Sequence, residues 1–389
     1  MTSREYENSH PWLSFSADLK PLSAAFWMLL GETRSKIDHI AASPLKPEVA
    51  AEMHELYLAK GYQATTAIEG NTLTEAQVRL LMESRLPLRD SQRYLEQEVR
   101  NIIGACGRIL DGIRSSANRL VTPEGILEFN RLVLEELAVE EGVVPGEFRR
   151  HSVGVWRYLG APAVDCEYLV DRLCKWLNGP EFAPATVEMQ VPYAVIKAVL
   201  AHLYLAWIHP FGDGNGRTAR LVELQILLAA GVPTPAAHLL SNHYNQTRTE
   251  YYRQLDLASK SGGDVLGFLN YAVVGFVDGL RGQLGRIRNQ QFEDRWEQFV
   301  YEEFGDVRSE ARRRQRKLVL ALSKQATPIP GPEIPDLSTE LARAYGGANP
   351  RTLARDLNAI LKTSLVERGP SGYRARKEQI LAFLPFSAE

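Results

Sequence analysis

Three cysteines in 389 residues, Cys106, Cys166 and Cys174, are too few and too irregularly spaced for a disulfide framework or a CxxC zinc site, and they fit a reducing cytoplasm. The eight histidines form no HExxH pair. The chain opens without a basic-then-apolar segment, and no run of about 18 apolar residues stands out as a membrane span. The net charge is only −2, from 45 basic and 47 acidic residues. That supplies neither a nucleic-acid coat nor an acidic tail. Internal repeats and low-complexity segments are missing too. What is present is length enough for two or three domains, and 45% apolar residues for a sizeable core.

The chemistry-bearing residues concentrate in His209-Pro-Phe-Gly-Asp-Gly-Asn-Gly-Arg-Thr-Ala-Arg220. Apolar, helix-spaced runs flank it, Val191 to Ile208 before and Leu221 to Ala230 after. Pro210 disfavours continued helix at His209. Gly212, Gly214 and Gly216 let the backbone turn, and a helix restarts near Asn215 or Gly216. The free amides and dipole of that helix make an anion site. Arg217 and Arg220, three apart, share a face and suit a polyphosphate. A carboxylate repels phosphate, so Asp213 makes sense as a ligand to a divalent metal such as Mg²⁺ that bridges phosphate oxygens. His209, at the loop entrance, can take a proton from an attacking hydroxyl. The set reads as phosphate-bond chemistry with ATP or a similar nucleotide. It is not a Walker A loop, because no Gly-Lys-Ser/Thr follows, nor a dinucleotide fingerprint, because no strand precedes it.

The pattern His209-x-Phe211-x-Asp213-Gly214-Asn215-Gly216-Arg217-x-x-Arg220 resembles the signature of the Fic domain at all eight fixed positions, with Thr218 and Ala219 at the variable ones. The resemblance implies a mainly α fold: a Fic-type helical core with a small β-hairpin flap. It implies a protein adenylyltransferase that moves AMP from ATP to a Ser, Thr or Tyr hydroxyl of a target protein or of itself. His209 is then the base and Asp213 the Mg²⁺ ligand. The stretch Gly214, Asn215, Gly216, Arg217, Thr218, Ala219 and Arg220 holds the nucleotide. Transfer of UMP or phosphocholine, or hydrolytic removal of AMP, stays open on the same site. The phosphotransfer variant of death-on-curing relatives carries a bulky basic residue where Gly216 stands.

Taken in order, residues 1 to about 20 read as an irregular arm. Leu22 to Ile40 is an amphipathic helix, and Pro47 starts another that runs towards Ile68 and ends at Glu69-Gly70-Asn71. Thr72-x-x-Glu75 is a capping-box start, and Asp90 to Ile113 a further amphipathic helix. Glu69, in a last helical turn, is unfavourable with the dipole and calls for a partner. The segment Thr65-Thr-Ala-Ile-Glu69-Gly70 resembles the inhibitory motif of Fic proteins, which implies that Glu69 pairs with Arg220. Val143 to Trp156 alternates β-branched residues and predicts a hairpin. In the family this is the flap, which takes a target segment by strand addition. Ala163 to Leu177 is helical. Ser241 to Leu255 resembles the segment that brings a tyrosine to the nucleotide base: Tyr251, with Tyr252 and Asn245 as neighbours, either stacks on adenine or packs in the core. From Leu318 onwards three helices, the third starting at Asn349-Pro350, and a strand-turn-strand at Leu365 to Arg374 resemble a winged helix-turn-helix. It serves DNA or protein contact.

The expected domains are 1–115 (N-terminal helices with the inhibitory motif), 116–290 (catalytic core) and 291–389 (linker helix and winged helix). The expected partners are ATP and a target protein docked on the flap near 145–162, with no membrane. A homodimer and DNA, the latter through 318–376, are left open. A DNA-binding regulator whose Fic core only senses nucleotide is the rival from outside the enzyme class.

Overall fold

The computed structural model describes residues 4–85, 89, 92–115, 119–155, 158–347 and 350–381. It is mainly helical, as the signature implies, and divides into two compact units, Met1–Gly285 and Arg286–Glu389.

The first unit is organised around α8 (Gln190–Ile208) and α9 (Asn215–Ala229), which pack along one another. Helix α8 is apolar on nearly every face, with Val195, Val199, Leu203 and Trp207 buried, so it must lie at the centre. The stretch Val187–Ile208 is in fact long and apolar enough to cross a membrane by length and composition, contrary to the expectation that no such run exists. Its burial inside the unit accounts for that composition.

Helices α2 (Ala24–Ala42), α3 (Pro47–Ala67), α5 (Arg93–Arg114), α6 (Pro123–Val133) and α7 (Cys166–Leu177) surround this pair. Helix α5 buries Val99, Ile102, Cys106 and Ile109 on one stripe, as its amphipathic pattern predicts. Its expected first residue, Asp90, lies outside the described residues. Helices α11 (Leu239–Gln246), α12 (Arg248–Lys260) and the start of α13 (Leu266–Phe304) complete the shell.

Four local expectations are corrected. The N-terminal arm is not merely irregular: it forms a short helix α1 (Glu5–Ser9), and Tyr6, Leu13 and Phe15 are buried in the core. The capping box before α4 (Glu75–Met82) is Thr74 with Gln77, not Thr72 with Glu75. Asn71 accepts from the Leu73 amide at 3.0 Å and lengthens the turn by two residues. The hairpin is confined to β1 (Gly154–Val155) and β2 (Tyr158–Leu159), while 143–153 runs in turns. Its expected residue Trp156 lies outside the described residues. His209 is not extended before Pro210. It takes the left-handed region, φ 49° and ψ 58°, and its amide still bonds to the Leu205 carbonyl at 2.9 Å. Proline forbids only the right-handed helix here, and a left-handed residue is a natural helix stop.

In the second unit, α14 (Glu310–Ser323), α15 (Thr339–Tyr345) and α16 (Pro350–Leu361) precede an antiparallel pair, β3 (Val366–Gly369) and β4 (Gly372–Ala375). Leu318, Leu322, Ile334, Leu341, Leu357, Ile360 and Val366 form its core. Asp356, fully buried, accepts from Arg314 at 3.0 Å, Gln315 at 3.1 Å and the Tyr345 hydroxyl at 3.0 Å, and so ties the three helices together. Asn349, expected at the start of the third helix, lies outside the described residues.

Candidate functional site

The loop between α8 and α9 is built by its own side chains. Asn215 accepts from the Phe211 amide and donates to the Phe211 carbonyl, both at 2.9 Å, which closes the loop on itself. Gly214, at φ 77°, takes a turn that side chains resist. Asn130 of α6 donates to the Asp213 carbonyl at 2.9 Å and accepts from the Gly146 amide at 3.0 Å, so a third segment braces the turn.

This loop lines a cavity of about 290 Å³. His209, Asp213, Gly214, Asn215, Gly216, Ala219, Tyr251, Tyr252 and Glu69 all face it, together with Tyr158 of the hairpin. Four other residues singled out from the sequence do not line it. Arg217 is buried, with Nη1 on Glu98 at 2.9 Å and Nη2 on Asp213 at 3.3 Å. Arg220 is buried and donates to Glu69 at 2.6 Å and to the Thr65 carbonyl at 2.9 Å. Thr218 accepts from Asn130 at 3.4 Å. Asn245 donates to Gln63 at 3.3 Å.

The Glu69 carboxylate occupies a place shaped for an anion. A Cβ on Gly216 would lie 2.1 Å from Glu69 Oε1, so the bare Cα makes room for it at the first turn of α9. That is where helix amides and dipole favour negative charge. Burial alone raises the Glu69 pKa. The charge and hydrogen bond of Arg220, helped by Arg217 and His209, outweigh burial and hold it below the usual carboxylate range. Beside this pair, Nε of Arg217 and both Nε and Nη1 of Arg220 are buried donors without a partner among the described residues. Buried donors are satisfied in nearly all folded proteins, so three orphans in one place point to acceptors supplied from outside the chain.

His209 sits under a clamp that nothing in the sequence singled out. Arg149, 4% exposed, donates to the carbonyls of His209 (2.7 Å), His151 (2.7 Å), Ile208 (3.4 Å) and Ala161. Among the described residues it has no carboxylate partner, and its charge complements the negative end of α8. Burial pushes the His209 imidazole down to about 4, and the nearby Arg149 charge adds to this, against the opposing Ala206 carbonyl, Glu69 and Asp213. The ring is therefore neutral at ordinary pH and free to accept a proton.

The far wall is aromatic and polar. Tyr251 is buried against Tyr244 (4.9 Å between centroids) and Tyr252 (5.1 Å), and its hydroxyl lies 2.8 Å from His202 Nε2. His202 Nδ1 lies 3.1 Å from Glu223, which also accepts from the Tyr244 hydroxyl at 2.9 Å. Of the two alternatives weighed for Tyr251, the structure shows the core packing; the residue also lines the cavity. The Tyr252 hydroxyl donates to the Ile68 carbonyl at 3.3 Å, beside the Glu69 turn.

Glu98, Asn71, Arg149, Asn130, His202 and Glu223 are the site residues that sequence reading missed. Only the amphipathic stripe of α5 pointed towards one of them, by placing that helix against the core. Of the three carboxylates that line the cavity, Glu69 pairs with Arg220 and Asp256 with Lys260, while Asp213, about half exposed and 3.3 Å from Arg217, is the one in the loop itself. Among the described residues no group of three or more potential ligands exists. The donor set therefore fits a cation held by one carboxylate together with a bound phosphate, the usual manner for Mg²⁺.

Residues 120–227 match the sequence model of the Fic/DOC family. A protein adenylyltransferase Fic from Aedes aegypti is 32% identical over 217 residues, covering 56% of this chain and 40% of the relative. One from Drosophila melanogaster is 33% identical over 207 residues, covering 53% and 38%. The chain thus spans about two fifths of the length of these curated relatives. Fic-1 from C. elegans superposes with a TM-score of 0.54 at 26% identity, over 68% of this chain and 74% of that one. A Fic family protein from Desulfovibrio desulfuricans G20 shares the fold over 92% of this chain and 98% of its own, with a TM-score of 0.55 at 21% identity. The chain carries, within its first compact unit, a domain of the Fic/DOC family.

Proposed function

We propose that this chain is a protein adenylyltransferase that moves AMP from ATP to a protein hydroxyl, and that Glu69 holds it back. The observation that carries the reading is a neutral, clamped His209 beside an anion site with three unpartnered guanidinium donors. His209 accepts the proton of a Ser, Thr or Tyr hydroxyl laid along the hairpin near 145–162. The hydroxyl oxygen then attacks the α-phosphorus of ATP, and the bond to the bridging oxygen breaks. Pyrophosphate leaves into the amides of α9 and the forks of Arg217 and Arg220. Asp213 would hold Mg²⁺, whose contribution is to neutralise phosphate charge. Tyr251 and Tyr252 offer faces to the base. Glu69 competes with the terminal phosphate for Arg220. The names of the curated relatives support AMP as the transferred group.

ATP labelled in its α-phosphate should leave label on protein, whereas γ-labelled ATP should leave none. Its pH dependence should follow His209. With a pKa of about 4, kcat/KM stays level from pH 8 down to about 5 and falls below that as the ring protonates. Loss of half the rate near pH 6.5 would instead mark a base with an ordinary histidine pKa. Folding needs parallel monitoring. Buried neutral His209 and His238, both near 4, contribute stability above about pH 6.5 that is lost as pH falls towards 4.

A second role is proposed for residues 318–376, read as a winged helix on duplex DNA. Arg351 and Arg355 of α16, Lys362 just after it and Arg312 of α14 line a groove whose lining holds no carboxylate among the described residues. Residues 286–389 carry 18 basic and 14 acidic side chains. Fluorescence anisotropy with a labelled duplex should show affinity that falls steeply with salt, and that Arg351→Ala with Arg355→Ala weakens. Binding unchanged in that double variant would sink this role and leave protein contact as the use of the module.

A further inference from the structure

The hairpin beside the cavity has two outer edges, and they differ. Gly154 pairs with Leu159, and Val155 with Tyr158. The Gly160 amide donates to the Val153 carbonyl at 3.0 Å. Bonded and non-bonded pairs alternate along an antiparallel ladder, so the peptide groups of Gly154 and Leu159 face outward on opposite sides. On the β2 side three of the four outward groups of Leu159 and Ala161 are taken. The Leu159 carbonyl accepts from His10 Nε2 at 2.9 Å. The Ala161 amide donates to the Trp207 carbonyl at 3.4 Å, and the Ala161 carbonyl accepts from Arg149. On the β1 side, Ser152 and Gly154 are exposed, and their peptide groups make no hydrogen bond among the described residues. Gly154 has no side chain to keep another backbone away.

His10 reaches β2 because the N-terminal arm is anchored elsewhere. Arg4 pairs with Asp165 at 3.1 Å and lies 3.7 Å over the Tyr168 ring, and the Tyr6 amide donates to Asp165 at 2.9 Å. His10 itself is 5% exposed. Its ring packs against Trp12 at 5.0 Å and edge-on against Tyr158 at 5.9 Å. The Leu159 carbonyl can only accept, so the ring carries a proton on Nε2, while Nδ1 lies 2.9 Å from Ser9 Oγ. Burial lowers the pKa of this imidazole, consistent with the neutral form. Tyr158, which precedes Leu159 in β2, donates to the Trp207 carbonyl at 2.8 Å and lines the cavity.

We propose that the arm, through the His10–Leu159 hydrogen bond, braces β2 and closes its edge, so that an extended acceptor segment is received on the β1 edge at Ser152 and Gly154. His10 is then a positioning residue for the protein acceptor. The inference rests on the reading that the hairpin receives a protein acceptor.

The test uses His10→Ala and His10→Gln in a Glu69→Gly background, with the His209→Ala protein supplied as acceptor. His10→Ala is expected to raise KM for that acceptor about fivefold to tenfold, the worth of one hydrogen bond. The kcat and the Kd for ATP should not move, and hydrogen exchange at the Gly160 amide should speed up. His10→Gln, whose amide can donate to the Leu159 carbonyl, should restore most of both properties. Acceptor KM and Gly160 exchange at parent values in His10→Ala would overturn the brace. If the Glu69→Gly parent transferred no AMP, the AMP-transfer reading would fail, whereas Gly160 exchange in His10→Ala would still decide the brace.

Discussion

Replacing His209 by alanine is expected to lower AMP transfer about 10²–10⁴-fold, the range that general-base catalysis supplies. ATP affinity and fold should persist. The loop does not depend on this imidazole: it is closed by Asn215 on Phe211, by Asn130 on Asp213 and by Arg149 on backbone carbonyls, including that of His209 itself. Alanine keeps every one of those backbone groups. It also keeps Gly214 in its turn, and it leaves the unpartnered donors of Arg217 and Arg220 in place for phosphate. Calorimetric ATP binding, circular dichroism and label incorporation read the three consequences separately. A variant that transfers AMP at the parent rate would remove His209 from the chemistry. A variant that no longer binds ATP would show that the ring, and not the loop, makes the anion site.

The second large effect has the opposite sign. Glu69→Gly is expected to raise transfer about 10- to 100-fold, equivalent to roughly 1.4–2.7 kcal/mol. The pair to be broken is short, 2.6 Å, and Arg220 is buried, which favours a large effect. The Glu69 side chain, however, is 34% exposed, and solvent screening moderates its worth. The substitution frees a guanidinium and also removes a negative charge from the first turn of α9, the place a phosphate would take. Arg217 should stay where it is, because its partner Glu98 is fixed from the other side by Asn71 at 2.8 Å. Steady-state rates at saturating ATP provide the check. Equal rates for the two folded proteins would reduce Glu69–Arg220 to a structural ion pair.

The legible part of the site is the part that is contiguous. Twelve consecutive residues carry the loop chemistry, and the glycines and proline within them dictate a turn between two helices. Glu69 was legible for a similar reason: a carboxylate near a helix end asks for a cation, and the motif around it named Arg220, although α3 ends at Ala67 and Glu69 lies in the turn beyond it. The helices were readable from periodicity, with boundaries off by a few residues. The remainder depends on contacts made across the chain. Arg149 lies 60 residues from His209. Glu98 lies 119 from Arg217, and His10 lies 149 from Leu159. No local pattern encodes those distances.

Side-chain competition for backbone groups was also invisible. Asn71 takes the Leu73 amide and so moves the capping box to Thr74. His209 satisfies both its helix end and the following proline by going left-handed, where the proline rule alone pointed to an extended residue. Composition misled once. Helix α8 is apolar because it is central to the fold, and the same composition would suit a membrane.

The central claim is that this anion site and its neutral histidine transfer AMP. It is tested most directly by intact-mass analysis of the Glu69→Gly protein after incubation with each nucleoside triphosphate and Mg²⁺. The account predicts protein heavier by one AMP residue with ATP, and no such species in Glu69→Gly combined with His209→Ala. An unchanged mass with ATP, or an added UMP, phosphate or other group in place of AMP, would contradict it.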